Sequence, residues 1–176
     1  MTMRPARRNL KWLKLQEKSN RIGGIRLQVS PRLRDAVTQL APALATASPA
    51  AVEPVVQTIA DEICRALAVP PVGITVELAR PRNHFSELHG LYTLSRRSGA
   101  QIRLWMLTAK RKQVAAFKTF LRTLLHELCH HLDYTLLRLG GSVHCEGFYK
   151  RESSLFHQLT AHLGAVPPMN NARPSR

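Results

Sequence analysis

Residues 114–136 read Val-Ala-Ala-Phe-Lys-Thr-Phe-Leu-Arg-Thr-Leu-Leu-His-Glu-Leu-Cys-His-His-Leu-Asp-Tyr-Thr-Leu. Val114, Phe117, Leu121, Leu124, Leu125, Leu128, Leu132 and Leu136 recur at spacings of three and four, the period of one buried helix face. The spacing predicts a long helix over roughly 109–138, stopped by Gly140-Gly141. Inside it lies His126-Glu-Leu-Cys-His130, an HExxH sequence. Residues four apart stand one turn apart on the same face, so both imidazoles can reach one metal ion. Glu127, beside the first histidine, points to the open position of such a site and can take a proton from a water there. Zinc lowers the pKa of that water towards ~7 and polarises a carbonyl, which is what metal-assisted hydrolysis needs. Eight His and eight Glu in 176 residues would place only about 0.02 such matches by chance.

A catalytic zinc normally has three protein ligands, so a third must come from elsewhere. The extended HExxHxxGxxH pattern fails, because position 133 is Asp and position 136 is Leu. His144-Cys-Glu-Gly-Phe148 follows the Gly-Gly stop and opens a second helical pattern near 146–163, marked by Phe148, Leu155, Phe156, Leu159 and Leu163. A helix, a Gly-rich turn and a histidine at the entry to the next helix would bring His144 back over the first helix.

The rest of the chain is read outward from this pair. Gly73–Ala79 alternates Ile74, Val76 and Leu78 with Thr75 and Glu77, a strand by its period of two. Residues 91–94 and 101–106 flank Ser95-Arg-Arg-Ser-Gly99 as a hairpin, and 80–90 reads as a loop. Val56, Ile59, Ile63 and Leu67 mark an earlier helix, stopped by Pro70-Pro71. Residues 41–54 are rich in Ala and Pro, a connection or a weak helix start, and Ile25, Leu27 and Val29 suggest a short strand. Helix, strands, long helix, helix is an α+β order: a small sheet with a hairpin packed on a long HExxH helix, and a second helix after it.

Charge is the compositional anomaly. Lys plus Arg number 26 against 11 Asp plus Glu, a net +15 with a pI near 11. Ten of the basic residues (Arg4, Arg7, Arg8, Lys11, Lys14, Lys18, Arg21, Arg26, Arg32, Arg34) lie in residues 1–34 beside one acid, Glu17, so that segment holds +9. We read 1–45 as a basic, partly flexible arm, 46–165 as the folded domain and 166–176 as a disordered tail. An arm of this kind binds phosphates and releases their counterions, which makes DNA or RNA an expected partner. A transit peptide, a membrane-surface segment and a plain solvated tail are the competing readings of the same residues. No stretch approaches the ~20 apolar residues of a membrane span, so no integral membrane association is expected. No apolar run of a secretory signal follows the basic start. Three cysteines (Cys64, Cys129, Cys145) without a CxxC make neither a disulfide framework nor a four-cysteine ribbon, and a reduced, cytoplasmic protein is expected.

HELCHHLDY, a short gap, and HxxxF opening another helix together resemble the SprT-like zinc metallopeptidases. The resemblance covers roughly 50–163 and takes in the hairpin, with Gly90-Leu-Tyr92 at its start and Ile102-Arg-Leu-Trp-Met106 in its second strand. It implies a zincin-like minimal domain, Zn2+ held by His126, His130 and His144, Glu127 as general base, and a protein or peptide as substrate. Some members act on proteins crosslinked to DNA, so the basic arm would be a tether to that setting. The Cys-rich C-terminal ribbon of many members has no counterpart here.

Rival ligands are Glu152 and Glu146 on or near the last helix, since a glutamate on a following helix completes another class of zinc site. Asp133 shares the face of His126 and His130 and is expected to orient a ligand imidazole rather than bind metal. His131 points about 100° away from His130. His157 and His162 read as surface or packing residues, His84 and His89 as loop residues, and Cys129 and Cys145 as bystander thiols. Tyr92, Tyr134 and Tyr149 are three candidates for stabilising an oxyanion. A peptide adding to the edge of strand 101–106 is the expected mode of substrate binding. The functions left open are a zinc peptidase, a nucleic-acid-binding protein with a structural or vestigial zinc site, and, less favoured, a hydrolase of some other bond.

Overall fold

The structure, a computed structural model, describes residues 7–79, 90–108 and 113–164. Its elements in chain order are α1 (Arg7–Asn20), α2 (Pro31–Ala45), α3 (Pro49–Ala66), β1 (Gly73–Glu77), β2 (Gly90–Ser95), β3 (Gly99–Trp105), α4 (Phe117–Thr135) and α5 (Glu146–Thr160), with a 3₁₀ turn at Ala161–Leu163. The fold class is α+β, as the change of period along the sequence predicts.

The strands form one mixed sheet in the order β1-β3-β2. β3 runs parallel to β1, with Ile74 opposite Ile102, and antiparallel to β2, with Gly90 opposite Leu104. Ile74, Val76, Ile102 and Leu104 are buried on one face, while Thr75, Gln101 and Arg103 face solvent. Leu78, expected to continue the buried row, lies past the end of β1 and is exposed. α3 packs on β1, α4 packs on β2 and β3, and α5 packs on α4. The outer edge of β1 is closed by α3: the N–H groups of Ile74 and Val76 donate to Gln57 Oε1 (2.7 Å) and Glu53 Oε2 (2.8 Å). β3 is the middle strand, so neither of its edges can take a peptide. Among the described residues no strand pairs the far side of β2, which makes β2 the open edge.

Further expectations from sequence are corrected. α4 starts at Phe117 rather than near 109, because Leu107 and Val114 form a β-bridge and the Ala115 N–H donates to the Met106 carbonyl (2.8 Å). That pairing keeps residues 113–116 out of the helix; residues 109–112 lie outside the described part. The segment at 25–29 buries Ile25 and Leu27 and exposes Arg26 and Gln28, as a strand would, yet joins no sheet. The Gln158 side chain takes the place of a partner strand, accepting from the Leu27 N–H (2.9 Å) and donating to the Ile25 carbonyl (2.8 Å). A single amide offers one donor face and one acceptor, enough to satisfy this short stretch.

Much of the predicted arm is core. Ser30 caps α2 by accepting from the Leu33 N–H (3.1 Å), with Pro31 in the first turn. Such a cap contributes about 1 kcal/mol. Leu33, Val37 and Leu40 of α2 are fully buried, and each buried aliphatic side chain contributes roughly 1.5–3 kcal/mol. The apolar stripe of α2 therefore ties residues 31–45 to the domain, and no boundary falls at 45. The Ala- and Pro-rich stretch that follows is the end of α2, a three-residue turn and the start of α3 at Pro49. His84, His89 and the predicted tail lie outside the described residues. Among the described residues no helix is long and apolar enough to cross a membrane.

Candidate metal centre

α4 and the start of α5 build the site. His126 and His130, one turn apart on α4, present Nε2 atoms to the same point. After α4 the chain reverses through a tight loop in which Arg138, Gly141 and Ser142 all have positive φ (51°, 113° and 35°). His144 emerges from that reversal, one residue before the Cys145 cap of α5. Its Nε2 lies 3.1 Å from His126 Nε2 and 2.9 Å from His130 Nε2. The three residues expected from sequence to share a metal are thus together. Phe148, the aromatic of HxxxF, is fully buried beneath them, with its ring centroid 4.8–5.0 Å from all three imidazoles. His144 is exposed, so the site opens to solvent on that side.

The second nitrogen of each α4 histidine shows which tautomer is present. His126 Nδ1 lies 3.2 Å from Glu152 Oε2, and a carboxylate accepts only, so Nδ1 carries the proton. Glu152 is in turn held by Arg122, whose guanidinium donates to Oε1 (3.3 Å) while stacking on the Phe156 ring (4.1 Å). His130 Nδ1 lies 2.7 Å from Ser142 Oγ. The Ser142 hydroxyl gives its own proton to Asp133 Oδ2 (2.9 Å), so towards His130 it can only accept, and His130 Nδ1 is the donor. In the neutral rings both Nε2 atoms therefore carry a bare lone pair, as a metal ligand requires.

Three Nε2 atoms this close do not rest together by themselves. A neutral His144 can donate one proton to one neighbour, which leaves the other contact as two lone pairs face to face. A cation at the centre satisfies all three. Nitrogens about 2.05 Å from a tetrahedral zinc ion lie about 3.3 Å apart; the two distances from His144 fall within a few tenths of an ångström of that, and all three ligand atoms lie within 4.8 Å of one another. The donor set fits zinc by chemistry as well as by distance.

Protonation is disfavoured at His130 and His144. Burial, with His126 and His144 close by, pushes His130 down to about 4, and burial likewise lowers His144. Glu127 is buried beside this cluster. Burial raises its carboxyl above the usual range, against the lowering effects of His126 and of a hydrogen bond from the Tyr92 N–H. That N–H places the start of β2 against the carboxylate.

The remaining candidates sort by what they touch. Glu152 meets His126 through the nitrogen that faces away from the other ligands, and Glu146 is exposed and paired with Lys150. Asp133 reaches His130 through Ser142 rather than directly. His131 is fully buried and bridges two elements, its Nε2 on the Pro70 carbonyl (2.8 Å) and its Nδ1 on the Tyr92 hydroxyl (3.2 Å). Tyr92 is thereby committed, and burial pushes its phenol up to about 12. Tyr134 stacks on Tyr92. Tyr149 is half exposed, with its ring centroid 6.2 Å from His144 and 6.3 Å from His126. His157 lies on the surface against Phe156, and His162 pairs with Thr38. All three cysteines are free and buried, and burial raises the Cys64 and Cys129 thiols.

Comparison with family models, with curated proteins and with solved structures finds no match.

Sequence reasoning passed over Ser142 and Arg151, and read Gly90 only as the start of the hairpin. Arg151 is wholly buried in α5 and donates to both carboxylate oxygens of Asp133 (2.9 and 3.1 Å). An arginine inside an apolar helix pattern was its only signal. Gly90 abuts Glu127, and nothing in its neighbours announces that contact.

Proposed function

We propose that the protein is a zinc-dependent peptidase whose metal is held by His126, His130 and His144. The observation that carries this reading is the meeting of three imidazole Nε2 atoms, two of them on rings whose Nδ1 faces a hydrogen-bond acceptor, which leaves Nε2 as the lone-pair nitrogen of the neutral ring. Beside them stands a carboxylate, Glu127, that makes no ion pair with a Lys or Arg among the described residues. A purely structural site has no need of such a group. A bound zinc ion supplies Lewis acidity, polarising the scissile carbonyl and acidifying the attacking water.

The chain's own residues do the rest. Glu127 takes the proton of the attacking water and passes it to the leaving amine, and its raised pKa suits it to hold that proton between the two steps. An extended peptide pairs with the open edge of β2, next to Glu127, through main-chain hydrogen bonds that read little of its sequence. Phe148 keeps water away from the underside of the imidazoles. Tyr149, on the open side, is the tyrosine best placed to donate to a developing oxyanion. The test is Glu127→Gln with a disordered protein as substrate. Zinc content is expected to stay at wild-type level while hydrolysis falls by about 10²–10⁴. Equal cleavage by variant and parent overturns the mechanism.

A second feature supports contact with a polyanion. Lys11, Lys14 and Lys18 are exposed and recur at spacings of three and four along α1, one basic stripe beside exposed Trp12. This is consistent with DNA or RNA as a partner, either locating the peptidase or, if hydrolysis fails every test, standing as the function itself. Replacing the three lysines by Gln is expected to weaken binding to a DNA duplex and to reduce the salt slope of log K by up to about 2.7. An unchanged slope removes α1 from the interface.

A further inference from the structure

Ser142 sits at φ 35°, a left-handed backbone conformation that L side chains rarely adopt. Two glycines, Gly140 and Gly141, directly precede it, yet the strained position holds a serine. A serine kept where glycine would relax the backbone suggests a hydroxyl in use. Here the hydroxyl is buried, accepts from His130 Nδ1 at 2.7 Å and donates to Asp133 Oδ2 at 2.9 Å. Asp133 is itself clamped by Arg151. The same guanidinium reaches the Ser19 carbonyl (2.9 Å), the Ile22 carbonyl (2.9 Å) and the Ser19 hydroxyl (3.0 Å). Cys145, next to His144, closes the ring by donating its thiol to the same Ser19 hydroxyl (3.1 Å).

We propose that Ser142 is a positioning residue for the metal ligand His130, and that Asp133, Arg151 and the Ser19–Ile22 turn hold it in place. The end of the basic N-terminal segment is then part of the metal-binding apparatus rather than only an appendage. The physical logic is one of fixed polarity. Arg151 donates to Asp133, so Asp133 can only accept; Ser142 therefore donates to Asp133 and accepts from His130. His130 is left with its proton on Nδ1 and its lone pair on Nε2. Each link removes an alternative tautomer or ring orientation before any metal arrives. Partners of this kind are worth roughly 10–100-fold in metal affinity.

The inference rests on the zinc reading, and its test separates the two. In the full chain, Ser142→Gly removes the hydroxyl and relieves the backbone, so the metal-free variant is expected to be at least as resistant to urea as the parent. Its zinc affinity, read by competition with a chromophoric chelator, is expected to fall about 10–100-fold. Nitrogen NMR of the metal-free protein is expected to show His130 wholly as the Nδ1–H tautomer in the parent and as a mixture in the variant. Arg151→Lys keeps a charge but loses the fork, and is expected to show the same mixture with circular dichroism unchanged. A parent that binds zinc and a Ser142→Gly variant that binds it equally well, with His130 unmixed, overturn this proposal alone. A parent that binds no zinc overturns the metal centre with it.

Discussion

The backbone of Gly90 lies against the side chain of Glu127. A Cβ built on Gly90 would stand 2.7 Å from both Cγ and Oε1 of that glutamate, and 3.0 Å from Thr123 Cγ2. The first residue of the open-edged strand thus touches the group proposed as general base, and only a glycine lets it come so close. This contact and the hydrogen bond from the Tyr92 N–H together seat the start of β2 against Glu127.

Gly90→Ala is expected to push the Glu127 carboxylate out of line while leaving the three imidazoles in place. A displacement near 1 Å lowers turnover by on the order of 10²-fold. Zinc content and kcat/KM on one peptide substrate, measured together, check this. A variant that loses zinc, or one that keeps full turnover, contradicts it.

His144 and Glu152 should separate as ligand and orienting group. His144→Ala is expected to lose stoichiometric zinc at micromolar metal. Glu152→Gln keeps a side chain beside His126 Nδ1 but loses the charge, and is expected to weaken binding by roughly 10–100-fold without abolishing it. Zinc retained in the first variant and lost in the second would exchange the two roles. Metal titration with atomic absorption distinguishes them.

The pH dependence of the metal-free protein follows from His130, whose pKa falls from 6.5 to about 4 on folding. Between those values the unfolded chain binds the proton and the folded chain does not. The contribution is therefore flat above about 6.5 and is lost as pH falls from 6.5 to 4. His131 and His144 are lowered and act in the same sense, while Glu127 and Asp133 are raised and act against it. Comparison with His130→Gln isolates the one residue. The parent is expected to lose stability relative to that variant as pH drops from 7.5 to 4.5, read as urea midpoints with chelator present. A constant difference would mean that His130 titrates normally in the folded state.

Gly147→Ala probes the docking of α1. A Cβ at Gly147 would lie 2.1 Å from the Ser19 carbonyl oxygen and 2.7 Å from Asn20 Cα, both backbone atoms that cannot rotate aside. The Asn20 side chain also accepts from the Gly147 N–H (2.8 Å). Forcing these segments apart disturbs the Arg151 clamp, so a loss of about 3 kcal/mol or more is expected, the range of a broken buried pair. Urea unfolding measures it. A loss below 1 kcal/mol would show that residues 19–20 are not firmly seated.

The elements that carry the chemistry were legible in the sequence because their patterns are local. The stripe of α4 and the spacing of His126, Glu127 and His130 need only the helix repeat. The hairpin needs only alternation and a turn. His144 was reachable because a short Gly-rich reversal leaves the chain few places to go. Contacts between distant segments were not legible. Residues 1–45 look like an arm by charge, yet the apolar stripe of α2 and the Ser19–Ile22 turn are built into the domain. The segment at 25–29 has a strand's alternation, but Gln158, more than 100 residues away, supplies its hydrogen bonds. Which edge of the sheet stays open depended on β3 lying between its neighbours, and periodicity carries no strand order.

The sequence by itself therefore determined the motif helix, the hairpin, the helix after it and the three imidazoles with Glu127 beside them, since each follows from spacing along one chain. Only the tertiary structure decided which nitrogens are free to bind metal, which strand faces Glu127, and that a buried arginine joins the N-terminal segment to His130. Those are properties of hydrogen-bond polarity and close approach between residues far apart in sequence. Neither exists until the chain has folded.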